Sequence, residues 1–245
     1  MIREDSALNQ CFTGFSHETI EFFMAIRFNN NREFFHANHD WYERAVRRPC
    51  LALAEDVQDC VRAIDPDIEV RPMRVVSRIN RDIRFSNDKS PYRDYMWLHF
   101  RRPTEHKGST PGFYFDIGVD GVSCGMGFYD QNKPLMNALR CEILRSPETV
   151  LTLVQPLERD FLFCPKPFKR MRIPDSVPEA LRAWYALKGF YMECPLNDMD
   201  RITSPGLANW LIGCYEALTP LYHFLMQLTP LAEMPEEMLP APKGA

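Results

Sequence analysis

Residues 113–129 read Phe-Tyr-Phe-Asp-Ile-Gly-Val-Asp-Gly-Val-Ser-Cys-Gly-Met-Gly-Phe-Tyr. Phe113, Phe115, Ile117 and Val119 alternate with period two, Asp120-Gly121 supplies hairpin-turn chemistry, and Val122 to Tyr129 returns, so the stretch predicts an antiparallel hairpin. Gly125 and Gly127 leave little bulk on the return strand and predict a bulge or the close approach of another element. Upstream, Tyr95 to Phe100 also alternates, and Val75-Val76-Ser77-Arg78-Ile79 reads as a further strand.

Helical periodicity lies on both sides of this region. Ser16 is placed to cap a helix carrying Ile20, Phe23, Met24 and Ile26. A second helix, with Asn30 as its cap and Glu33 reaching back, is predicted to run through Phe34, Trp41 and Tyr42 towards Pro49, and a third from Pro49 to Ala63. Further helices are predicted at Pro134 to Arg145, Pro147 to Glu158 and Val177 to Lys188, with 157–174 irregular and a short apolar segment at 190–192. The last begins at Ser204-Pro205 and carries Leu207, Trp210, Leu211, Leu218 and Tyr222, with a kink expected at Pro220. Helices around hairpin-paired strands make an α+β fold with a mainly antiparallel sheet, expected as one domain over 1–229 with a mobile tail at 230–245.

Composition excludes several classes. The 245 residues are 45% hydrophobic and 25% charged with a net charge of −4, which fits a globular protein rather than a disordered or fibrous one. The mild acidity gives no overall attraction to nucleic acid or anionic membrane, and no apolar run reaches the ~18 residues of a membrane span. The eight cysteines contain no CxxC pair, so no close-paired zinc site is expected, and reduced thiols with no secretory leader predict a cytoplasmic protein. No cofactor or metal is predicted, and nothing in the sequence fixes an oligomeric state.

The charge is unevenly spread. Nine basic residues against Asp82, Asp88 and Asp94 give 71–102 an excess of +6, leaving −10 on the remainder. Within it, the run from Arg78 to Arg93, RINRDIRFSNDKSPYR, combines arginines, hydroxyls and a proline in a pattern suited to neither plain helix nor plain strand. Guanidinium forks bind carboxylates and phosphates in two-pronged fashion, so Arg78, Arg81, Arg84 and Lys89 are candidate contacts for an anionic small molecule. Tyr92, Asn30 and Arg140 are candidate additions to that site, and Asp82 and Asp88 are candidate orienting acids or bases. The competing expectation is that Arg81 and Arg84 pair with Asp82 and Asp88 to pin the loop, leaving a non-catalytic interaction module.

Weaker motifs accompany it. Ser86-Asn87-Asp88-Lys89 spells the SxxK of penicillin-recognising enzymes, but Pro91 opposes the helix that chemistry needs, and no KTG partner follows. His36 and His39 with Glu33, Asp40 and Glu43 have helical spacing for metal ligation, which a solvated helix face explains equally well. The aromatic alternation of 95–100 resembles a stacking platform for RNA only superficially, because a sheet core accounts for it.

Three stretches resemble the family known as domain of unknown function 2461: Phe28 to Phe35, Arg78 to Arg93, and Gly112-Phe113-Tyr114 onward to Leu139-Arg140. The resemblance spans about Phe12 to Leu228. It implies an α+β domain and supplies no catalytic residues to carry over. Phe34 stands where many relatives are expected to have Trp, which retains an aromatic anchor.

Overall fold

Pro49 decides the first helical region. It has no N–H, so the Ala45 carbonyl four residues back loses its ordinary helical donor. The computed structural model, which describes residues 12–84, 87–103 and 108–232, answers this with a π turn rather than a break. After α1 (His17–Phe28), α2 (Arg32–Ala37) and α3 (His39–Tyr42), the turn Glu43–Arg47 leads into α4 (Arg48–Ile64), and the Arg48 N–H donates five residues back to Glu43 O. The buried Thr19 hydroxyl donates to Ala45 O at 2.6 Å, while the Ser16 N–H donates to Thr19 Oγ1 at 3.3 Å. The boundary expected at Pro49 is thus corrected to a continuous path with one widened turn. The α2 cap is Asn31, whose side chain accepts from Phe34 N, in place of the expected Asn30.

The sheet has five antiparallel strands in the order β1-β2-β3-β5-β4, and with the helices it makes an α+β fold. β1 (Tyr95–Arg101), β2 (Gly112–Gly118) and β3 (Gly121–Gly127) lie where alternation predicted them, and Gly121 takes φ +136 at the hairpin turn. A Cβ on Gly127 would come within 2.4 Å of Phe190 O, so that glycine permits the close approach expected from the sequence. The helices α6 (Lys133–Arg145) and α7 (Pro147–Asp160) also agree.

Further expectations need correction. Residues 75–79 are not a strand: α5 (Pro72–Val75) precedes an isolated bridge from Val76 to Leu98. There Trp97 N donates to the Ser77 hydroxyl instead of a carbonyl, so the ladder stops. The segment expected to be irregular contains β4 (Leu162–Pro167), paired with the ten-residue β5 (Leu187–Leu196), itself much longer than the short apolar segment expected. In place of a helix over 177–188 there is a 3₁₀ turn (Glu179–Leu181) and the four-residue α8 (Arg182–Tyr185). After α9 (Met199–Ile202), α10 (Gly206–Ala232) runs through Pro220 and past Pro230, and the rest of the expected tail lies outside the described residues.

The described residues group into two compact units. The first combines the described residues of 12–100 with 114–124 and 195–214; its core holds Phe22, Phe23, Ile26, Val57, Met96, Leu98 and Phe115, all fully buried. The second combines the described residues of 101–113 with 125–194 and 215–232 and centres on Trp184, which stacks on Phe163 at 4.3 Å and meets the Phe190 ring at 5.0 Å.

Candidate functional site

The arginine-rich excursion is closed at its neck by an antiparallel bridge between Asn80 and Tyr92, flanked by Arg81 N to Pro91 O and Arg93 N to Ile79 O, each 2.9 Å. Asn30 brackets Tyr92 from α1's end: its Nδ2 donates to Tyr92 O at 2.9 Å and its Oδ1 accepts from Tyr92 N at 3.0 Å. An amide pair of this kind imitates a strand partner, so Asn30 is committed to backbone. Tyr92 is buried, with its ring stacked on Phe35 at 4.2 Å.

Inside the excursion the charges meet one another. Arg81 pairs with Asp88, and Arg84 reaches both oxygens of Asp82 at 2.9 and 2.7 Å. Lys89 Nζ donates to Ile83 O at 2.9 Å. Arg93 donates to Arg78 O and Asn80 O and lies 4.6 Å from the centre of the Trp97 ring. The Arg84 side chain and backbone N–H hold the Asp82 carboxyl down to about 2, and the Ser90 N–H and hydroxyl hold Asp88 below the usual range. Carboxylates held this low accept protons poorly near neutral pH. Ser86 lies outside the described residues.

Arg140 belongs to the second unit. Its guanidinium donates to Tyr185 O at 2.8 Å, to Leu187 O and to Asn137 Oδ1 at 2.7 Å, which ties α6 to the start of β5. Its role there is to close carbonyls left at the end of α8.

Arg78 differs from all of these. Among the described residues its guanidinium makes no hydrogen bond or ion pair, and Arg78 is one of the residues that line a cavity of about 330 Å³ in the first unit. The cavity is walled by the π-turn region, through His39, Tyr42, Glu43 and Arg47, and by residues 73–80. Glu43 Oε2 accepts from Arg47 at 3.2 Å, and Glu43 Oε1 stands 3.9 Å from His39 Nε2. Arg47 also approaches Met73 Sδ at 3.4 Å. Phe35, Leu51, Val76 and Ile79 supply apolar wall, while burial pushes the Tyr42 phenol up and keeps it neutral.

Of the residues expected to bind an anion, the structure therefore brings only Arg78 to this cavity. Arg47 was missed, because Pro49 marks an interrupted helix without specifying a widened turn, and nothing in helical spacing brings Arg47 to the same cavity as Arg78. His39 and Glu43 were noted as metal candidates; among the described residues no group of three His, Cys, Asp or Glu could hold a metal ion. π turns recur at functional sites because the extra residue re-aims side chains.

No helix of the described residues is long and apolar enough to cross a membrane. No curated protein matches the chain. A family profile described as "Conserved hypothetical protein (DUF2461)" matches residues 18–224, a span that includes the π turn, the excursion and the hairpin, and the chain belongs to that family.

Proposed function

We propose that the protein binds a small anionic molecule in the 330 Å³ cavity, with the Arg78 guanidinium as its principal contact and Arg47 and Asn80 beside it. The observation that carries this reading is that Arg78, at a concave site, meets no acceptor among the described residues, in contrast to Arg81, Arg84, Lys89 and Arg93, whose donors meet protein acceptors. A guanidinium beside a cavity and not engaged by a protein acceptor gains charge-assisted hydrogen bonds from an anion without first breaking a protein pair. The volume is at the small end of ligand pockets, about 300–1,000 Å³.

Calorimetric titration of acetate, hexanoate, phosphate and succinate into the wild-type chain and Arg78→Ala tests it. At least one of these anions should bind the wild type and lose about tenfold or more in the variant. Equal binding to both chains, or to neither, would remove the reading. Phe28, 77% exposed at the end of α1, offers some support for a protein-interaction surface instead, but a single exposed apolar residue is ordinary on a protein surface.

A further inference from the structure

We infer that the anion this cavity takes is an amphipathic monocarboxylate, a single carboxylate carried on an apolar body; this deepens the proposed anion-binding function and rests on it. Charge sets the head group. Besides the His39 imidazole, the walls carry two guanidinium cations, Arg47 and Arg78, and one carboxylate, Glu43, so one ligand charge neutralises these three. A second ligand charge would lie in the same small space as Glu43, where like charges repel. Geometry agrees, since an unpartnered planar guanidinium matches the two oxygens of a carboxylate.

The body of the ligand is set by the remaining wall. Phe35, Leu51 and Ile79 are buried against the fold with only slight exposure, and Tyr42, Val76 and Met73 extend the apolar lining around them. A ligand polar throughout would leave this surface facing its hydrogen-bonding groups, which are costly to strip of water without partners. Met73 is 58% exposed at the rim, and its unbranched thioether can adjust to different apolar shapes.

The test is a series of straight-chain monocarboxylates, acetate to octanoate, titrated into the full chain at fixed ionic strength, with succinate as the dianion matched to butanoate. Affinity should rise by up to about fourfold per added methylene until the cavity is filled. Butanoate should bind more tightly than succinate. Arg78→Ala should weaken the whole series by a similar factor, while Met73→Ser should flatten the dependence on chain length. Both positions are exposed, so both variants are expected to fold. Arg78-dependent binding with no chain-length dependence, or with succinate the tighter ligand, overturns the monocarboxylate assignment and leaves anion binding standing. If no member of the series and no dianion binds in an Arg78-dependent way, both readings fall.

Discussion

The Arg78 to Arg93 excursion and the Glu43–Arg47 turn both carry arginines and acids, yet they use them in opposite ways. In the excursion the acids are local: Asp82 is two residues from Arg84, and Asp88 seven from Arg81. Charge there is spent shaping a loop. At the turn, Glu43 holds Arg47 across one helical step, and that pair stands in the wall of a cavity also lined by Arg78, which has no acceptor among the described residues. The density of like charge along a chain therefore says little about where an anion can bind. What matters is which donors remain after local acids and carbonyls have been counted.

Phe35 joins the two regions, because it stacks on Tyr92 of the excursion's neck and forms part of the cavity wall. Phe35→Ala should produce the largest effect, a loss of about 3–5 kcal/mol in denaturant unfolding together with loss of anion binding. If stability fell by that much and binding survived, the cavity would not depend on the packing that connects it to the neck.

Thr19→Val isolates the turn. The hydroxyl bridges the start of α1 to Ala45 O, and its removal leaves a buried carbonyl and the Ser16 N–H without these partners. We expect a cost of about 1–3 kcal/mol, measured by chemical denaturation. Amide exchange should quicken in 43–50 more than in 80–92. Equal acceleration in both would show that the two regions open as one unit.

The comparison also marks what could be read without coordinates. The hairpin at 113–129 was legible because alternation and Asp120-Gly121 agree, and α6 and α7 because Pro134 and Pro147 sit in their first turns. β4 was hidden by Pro165 and Pro167, which argue against a strand but are tolerated at the sheet edge it occupies. β5 was shortened by Gly189 and Pro195 near its ends. The strand expected at 75–79 failed because its one bridge ends at a serine hydroxyl. In the candidate site, Arg78 was within the expected set, but its difference from Arg84 depends on contacts across the fold: the neck bridge and the helix turn that bring 78 to the cavity.

A smaller effect separates two pairs with the same local design. Glu69 accepts from both the backbone and the side chain of Arg71, as Asp82 does from Arg84. The Arg71 hydrogen bonds hold the Glu69 carboxyl down to about 2, below its unfolded value of 4.5. A native pKa depressed in this way adds stability that is fully present above the unfolded value and is lost as pH falls from about 4.5 towards 2. Because Arg71 is largely exposed, the contribution is at most about 1 kcal/mol. Glu69→Gln should flatten the acid limb of a stability profile over that window and leave the profile at pH 7 only slightly lower. An unchanged acid limb would mean that solvent screens this pair as fully as one in the open loop.

The smallest structural effect, and the sharpest form of the comparison, comes from Arg84→Ala set beside Arg78→Ala. Arg84 is exposed and held by an exposed Asp82, so its removal takes away a surface pair whose loss is largely made good by water. Arg78 is exposed and makes no protein pair among the described residues, so its removal breaks no pair among them. Neither variant should shift the melting temperature measurably in the absence of ligand. With hexanoate present the two should part: a ligand that binds only the folded state raises its apparent stability, so Arg84→Ala should keep the wild-type thermal shift and Arg78→Ala should lose it. The reverse outcome, with the shift lost on removing Arg84 and kept on removing Arg78, would return the anion site to the excursion. It would also mean that the Asp82 pair opens to admit ligand, so that an internal partner does not by itself disqualify an arginine from binding.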